Sequence, residues 1–244
     1  MTTLFRQLFE PVSSTYTYLL GCVDTGQAVL VDPALPTWHR DMEAINALGL
    51  TLAMTIDTHI HADHLTSAAR LRGETGCRIA MPAAERVPCA DVGLEHGVPL
   101  QVGGIELAPL HTPGHTDTHF SLHAGMRVFT GDALLIDGCG RTDFQGGDAR
   151  TLYRSVREVL FALPDDTLVY PAHDYQGRRV SSIAQERARN PRLGDGRTLD
   201  EFVALMAALD LPYPKFIDHA VPGNRACGAC PPDLPEHLRA YGPP

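Results

Sequence analysis

Thr58-His59-Ile60-His61-Ala62-Asp63-His64 is the stretch whose reading decides how this chain folds. Three imidazoles and a carboxylate, all of metal-ligand quality, fall within it. The β-branched, apolar run before it, Leu52 to Ile56, predicts a buried strand, and Leu65 to Arg72 after it predicts a helix. Donors at the mouth of a strand converge on one point and form a cup for a metal ion. One histidine alone is most often a satisfied core or surface residue. Three of them with an aspartate at this spacing point to metal.

Three later segments supply what the cup lacks. Thr112-Pro113-Gly114-His115-Thr116 sets a histidine on a turn between two apolar strands, Ile105 to Leu110 and His119 to Leu122. Phe129-Thr130-Gly131-Asp132 ends the next strand, from Met126, with a carboxylate, and Val169-Tyr170-Pro171-Ala172-His173 ends another with a histidine. Loops at strand ends carry function because a rigid sheet holds them while water and ligand reach them. Each segment is ordinary alone. The ordered set HxHxDH, GH, GD and H resembles the metallo-β-lactamase superfamily. That resemblance implies an α/β (α+β) chain folded as an αββα sandwich, two mixed β-sheets packed face to face with helices outside.

The chain has 244 residues and a formal net charge of −9, from 20 basic and 29 acidic side chains. Without a basic stripe, an acidic chain argues against nucleic acid and anionic membranes. No apolar run approaches the ~20 residues that span a bilayer. The first ten residues lack the basic start and long apolar core of a signal peptide, so the expected location is the cytosol, or the mitochondrial matrix in a eukaryote. The six cysteines, Cys22, Cys77, Cys89, Cys139, Cys227 and Cys230, are scattered and are expected as free thiols. Cys227-Gly-Ala-Cys230 is the one spaced pair; it has no second pair to complete a zinc site, leaving a plain tail or a redox role.

Further strands are expected over Thr15 to Leu20, Ala28 to Val31 and Arg78 to Ala80. A helical pattern runs from Trp38 to Leu48 and stops at Gly49. Asp148 reads as the N-cap of a helix reaching Leu163, with Leu152, Val156, Val159 and Leu160 on its apolar face. Another helix runs from Ser181 to Arg189, and Thr198 with Glu201 opens a third through a capping box. With no repeat or low-complexity linker, one domain over residues 1–244 with a short C-terminal extension from about 195 is the economical arrangement.

Seven donors can hold two metals: His59, His61 and His115 around one, Asp63, His64 and His173 around the other, with Asp132 between. Two zinc ions lower the pKa of a bridging water and make a hydrolase. One site filled by His59, His115 and Asp132 instead leaves open positions of the kind iron(II) oxygenases use. The motif does not choose.

The longer segment Gly131-Asp132-Ala133-Leu134-Leu135-Ile136-Asp137-Gly138-Cys139-Gly140-Arg141-Thr142-Asp143-Phe144-Gln145 resembles the glutathione-persulfide dioxygenases. Tyr170-Pro171-Ala172-His173-Asp174-Tyr175 and Ala220-Val221-Pro222-Gly223-Asn224 extend the likeness. It implies an iron(II) enzyme that oxidises glutathione persulfide, or a similar small-thiol persulfide, with O₂ to sulfite and the free thiol. One Fe(2+) per chain would sit on His59, His115 and Asp132. His61, Asp63, His64 and His173 become an unused second site that orients the ligands. Arg141 is implied near the substrate carboxylates and Tyr175 as a catalytic phenol near the iron; Cys139, beside Arg141, is a packing or possible redox thiol, and the family pattern does not call for the possible redox pair Cys227 and Cys230. Relatives form homodimers. The rivals are a glyoxalase II-like dinuclear zinc hydrolase of glutathione thioesters, toward which His119 leans, and a persulfide-binding sensor without turnover.

Overall fold

The computed structural model describes residues 2–228. It divides into two compact units: one takes the chain to Leu94, then Leu100–Glu106 and the stretch from Pro212; the other takes Glu95–Pro99 and Leu107–Leu211.

In the first unit, strands β1 (Thr3–Glu10), β2 (Thr15–Cys22), β3 (Gln27–Val31), β4 (Thr51–Ile56), β5 (Arg78–Pro82) and β6 (Val92–Leu94) form one sheet in that order. The pairings β1–β2 and β2–β3 are antiparallel, and those from β3 to β6 are parallel. Parallel neighbours need crossovers, which α1 (Trp38–Ala47) and α2 (Ala68–Thr75) supply. Ile45 of α1 is fully buried in a cluster with Leu19, Leu30, Leu52 and Leu71; removing one such side chain from water contributes about 1.5–3 kcal/mol. Gly49, at φ +67°, takes the chain out of α1 as expected.

The helix expected from Leu65 starts three residues later. The backbone of Leu65 to Ser67 is committed elsewhere: Leu65 accepts from the Leu35 amide, Ser67 donates to the Pro33 carbonyl, and the Thr66 amide donates to Asn224. The segment Asp57–Ser67 is therefore an irregular loop tied from outside. Within the same unit, α6 (Ile217–Asn224) carries Pro222 in its interior.

The second sheet has the order β12-β11-β10-β9-β8-β7, from β12 (Ser181–Ser182), β11 (Leu168–Pro171), β10 (Arg127–Gly131), β9 (Phe120–Ala124), β8 (Ile105–His111) and β7 (Leu100–Val102). It too is mixed, since β10 and β11 run parallel while β8–β9, β9–β10 and β11–β12 are antiparallel. Asp148 caps α3 (Ala149–Arg154) by accepting from the Thr151 amide at 2.7 Å. The next turns, Ser155–Leu160, widen to a π-helix. The wider turn points the Ser155 hydroxyl at the Pro113 carbonyl, 2.7 Å away. α4 (Ile183–Arg189) follows β12, so Ser181 and Ser182 pair as strand rather than helix. α5 (Leu199–Ala207) has the expected capping box and buries Phe202 and Met206 beside Leu152, Val156 and Leu160.

Candidate metal centre

In the first unit, Asp32 organises the His-rich loop. It sits at the end of β3 with φ +49°, a left-handed conformation that brings its carboxylate under the loop. Oδ1 accepts from the Thr58 amide (2.7 Å) and from His61 Nε2 (3.1 Å), and Oδ2 accepts from the Thr58 hydroxyl (3.0 Å). With its proton given to Asp32, the Thr58 oxygen can only accept from His59 Nδ1, 3.0 Å away. His59 is thus the Nδ1–H tautomer, with its lone pair on Nε2.

The same reasoning fixes its neighbours. His61 donates from Nε2, so its lone pair is on Nδ1; His64 donates from Nδ1 to Asp63 Oδ2 at 2.8 Å, so its lone pair is on Nε2. His61 Nδ1 and His64 Nε2 are buried without a hydrogen-bond partner among the described residues. Together with Asp63 they offer ligand atoms that lie within 4.8 Å of one another. Buried lone pairs without donors are costly unless a cation completes them, so this donor set fits a metal ion. Behind it, Asp57 is pushed up to about 7 by burial, with attraction to His61 opposing and the charge of Asp32 adding.

In the second unit, His115 follows Gly114, which has φ +129° and lies so close to α3 that a Cβ would come within 2.3 Å of the Leu152 nitrogen. Only glycine fits there. His115 Nδ1 donates to the Arg141 carbonyl at 2.7 Å, leaving the lone pair on Nε2, which faces Asp132 Oδ2 at 3.4 Å. His173 Nε2 approaches the other oxygen of Asp132 at 3.6 Å. Asp132 Oδ1 is buried without a hydrogen-bond partner among the described residues. The backbone of Asp132 is held on both sides: its amide donates to His119 Nε2 (3.1 Å) and its carbonyl accepts from Gly140 (2.8 Å). A Cβ at Gly140 would meet that carbonyl at 2.5 Å and His115 Nδ1 at 2.8 Å.

A family model for the metallo-beta-lactamase superfamily matches residues 11–173, the span that carries every one of these donors. This chain belongs to the metallo-β-lactamase superfamily. Its fold is that of the superfamily, with two mixed sheets and helices. Among superfamily members, it is 49% identical over 228 residues to the human mitochondrial persulfide dioxygenase ETHE1, covering 92% of this chain and 89% of that protein. The crystal structure of ETHE1 from Myxococcus xanthus superposes with a TM-score of 0.90 at 52% identity, covering 92% of this chain and 99% of that one. A hydroxyacylglutathione hydrolase from Polaromonas is 36% identical over 66% of this chain and 62% of its own length.

Around this superfamily centre, the remaining expected residues have distinct surroundings. Arg141 holds Asp143 with both prongs of its guanidinium (2.6 and 2.7 Å) and lies over the Phe144 ring at 4.6 Å. The hydrogen bond from Arg141 keeps Asp143 below the usual carboxylate range. Tyr175 stacks on His173 with ring centroids 6.0 Å apart and is 75% exposed. Cys139 is buried 3.8 Å from the Met206 sulfur, and burial pushes its thiol up to about 11. A protonated thiol of that kind is a packing group at neutral pH.

A further expectation is overturned. Cys89 and Cys227 are joined in a disulfide, not free; the fold brings their Cα atoms to 6.2 Å across 138 residues of sequence. Cys22, Cys77 and Cys139 are free and buried. Cys230, the second half of the CxxC, lies outside the described residues. Sequence reasoning also missed Asp32 and Asn224 and misjudged His119. The signal for Asp32 was present, since Val31-Asp32-Pro33 ends a strand with a carboxylate just as Gly131-Asp132 does. His119 is fully buried with Nδ1 against the Thr112 hydroxyl at 3.0 Å, which makes Nε2 the acceptor for Asp132.

Proposed function

We propose that this chain is a persulfide dioxygenase, an enzyme that oxidises glutathione persulfide with O₂ and water to sulfite and glutathione. The observation that carries this reading is the 49% identity to human ETHE1, named a persulfide dioxygenase, along nearly the full length of both chains. We assign the single Fe(2+) to His59, His115 and Asp132. The donor chemistry supports it: both imidazoles pass their Nδ1 proton to a fixed oxygen, and Asp132 Oδ1 accepts no hydrogen bond among the described residues. When bound, iron(II) supplies the redox change that a dioxygen reaction needs and that zinc lacks.

The residues of the chain then have separable tasks. Asp32, through Thr58, holds the His59 ring in the tautomer that can ligate, and the Arg141 carbonyl does the same for His115. His119 and Gly140 hold Asp132 from the backbone, so its carboxylate keeps its aim whether or not a cation is present. Arg141 takes a glutathione carboxylate by exchanging or sharing its hold on Asp143, and the exposed Tyr175 phenol supplies a hydrogen bond to substrate. The assembly is a homodimer in the cytosol, or in the mitochondrial matrix of a eukaryote; the human and bovine relatives are named mitochondrial.

A specific observation favours a second reading. His61 Nδ1 and His64 Nε2 offer a further cation position with Asp63, and two metals would suit hydrolysis of glutathione thioesters. Metal analysis of anaerobically purified protein, followed by an oxygen-electrode assay with glutathione persulfide, separates the two. The dioxygenase gives one iron per chain, oxygen uptake and sulfite. Two zinc ions per chain with no oxygen uptake would overturn it.

A further inference from the structure

The His-rich loop is held by a residue about 160 positions away in the chain. Asn224, the last residue of α6, is buried, and among the described residues its side chain makes three hydrogen bonds, all to this loop. Nδ2 donates to the carbonyls of His61 (2.9 Å) and His64 (2.8 Å), and Oδ1 accepts from the Thr66 amide (2.8 Å). An irregular buried loop cannot satisfy its own carbonyls, so Asn224 stands in for the missing secondary structure and sets the course of the loop that carries His59, His61 and His64.

Asn224 is itself fastened. Immediately after it the chain turns through Cys227, in a left-handed conformation at φ +55°, and the Cys227 carbonyl accepts from the Ala69 amide at the start of α2. Cys227 is bonded to Cys89 in the segment between β5 and β6. Cys227 also belongs to a buried cluster with Ile60, the residue between His59 and His61, and with Ala68 and Val87. A Cβ on the next residue, Gly228, would overlap the Thr66 carbonyl. The α6 end, the disulfide and the loop thus pack as one piece, while Cys89 at the other end of the bond is only half-buried.

We propose that Asn224 is a positioning residue for the metal-binding loop and that the Cys89–Cys227 bond is the latch that keeps it in place, so that the metal site answers to thiol reductants. This rests on the assignment of the loop to metal, not on the identity of the substrate. The step is ordinary thiol–disulfide exchange. A dithiol gives two electrons and two protons, the Cys89–Cys227 bond breaks, two cysteine thiols form, and the reductant closes its own disulfide. The α6 end then keeps its hydrogen bonds and packing but loses its covalent tie, and the loop loosens with it.

The test uses the whole chain in three forms: oxidised, reduced with a dithiol that is then removed anaerobically, and Cys89→Ser. Each is compared in the native and Asn224→Ala backgrounds. Two quantities are read: amide hydrogen exchange of residues 58–67, and Fe2+ affinity by chelator competition. Asn224→Ala is expected to speed exchange and weaken Fe2+ binding by about tenfold, the lower end for groups that orient metal ligands. Reduction and Cys89→Ser act in the same direction by roughly threefold, and add nothing once Asn224 is gone, because both work through it. Should Asn224→Ala not fold, Asn224→Asp keeps the acceptor for Thr66 but offers no N–H to the His61 and His64 carbonyls. Reduction that lowers the thermal midpoint yet leaves exchange and Fe2+ affinity untouched would overturn the proposal, as would full additivity with the Asn224 variant. Neither readout uses persulfide or oxygen, so failure of the dioxygenase reading and failure of this one are told apart.

Discussion

Asp32→Asn tests whether a carboxylate that touches no substrate governs the metal site. Asparagine tolerates the left-handed backbone at this position, so the substitution changes charge and donor pattern with little conformational cost. One oxygen survives to take the Thr58 amide and His61 Nε2. The other becomes an NH₂ facing the Thr58 hydroxyl, now 3.0 Å from Oδ2. Two donors cannot face each other, so the hydroxyl must turn and give its proton to His59 Nδ1. That moves the His59 proton to Nε2, where the lone pair is needed. Losing one hydrogen bond to a buried charged group and weakening two others costs about 2–4 kcal/mol of stability. Misdirecting the ligand costs about tenfold to a hundredfold in metal affinity, or roughly 1.4–2.8 kcal/mol. Urea denaturation of the metal-free protein reads the first quantity, and anaerobic chelator competition for Fe2+ reads the second. If Asp32→Asn bound Fe2+ as tightly as the native chain, the tautomer argument would be refuted even if stability fell.

Gly114→Ala should be among the most damaging single changes, since the new Cβ falls 2.3–2.5 Å from the Leu152 nitrogen, Cα and Cβ at a φ alanine avoids; a loss beyond about 3 kcal/mol is expected, and a thermal midpoint within two or three degrees of native would contradict it. Asp41 makes stability depend on pH. Its carboxyl is buried, and desolvation lifts it from 3.8 to about 6 against the attraction of Arg40. The native state holds that proton after the unfolded chain has released it, so its contribution is complete below pH 4 and lost as pH rises through about 6, a decline on the order of 3 kcal/mol. Asp41→Asn should flatten that decline in denaturant titrations between pH 4 and 7; an unchanged slope would assign it to other groups. Arg141→Ala should raise KM for glutathione persulfide more than it lowers kcat, and the reverse pattern would remove Arg141 from substrate binding.

Much of this protein was legible in the chain because the relevant information is local. Apolar and β-branched runs marked β2, β3, β4, β8 and β10. Asp148, Thr198 with Glu201, and Gly49 marked helix ends, since a cap acts on amides three residues away. The donors of the His-rich loop, His115, Asp132 and His173 announced themselves by residue type and order. Elements without a local signal were missed: β1 has no clean alternation and pairs only because β2 lies beside it, and the helix start at Leu65 was wrong because distant groups had already claimed those amides.

What the sequence determined by itself, then, was the identity and order of the donors and the elements that carry them. The tertiary structure alone decided which nitrogen of each imidazole is left to ligate, which side chains hold the loop, and which cysteines bond. A tautomer depends on what lies opposite the ring. The partners that settle it here, Asp32 for His61 and the Arg141 carbonyl for His115, stand 29 and 26 residues away in the chain, and Asn224 and Cys89 reach their partners over greater separations still. Only folding sets such distances, so no spacing rule could have read them.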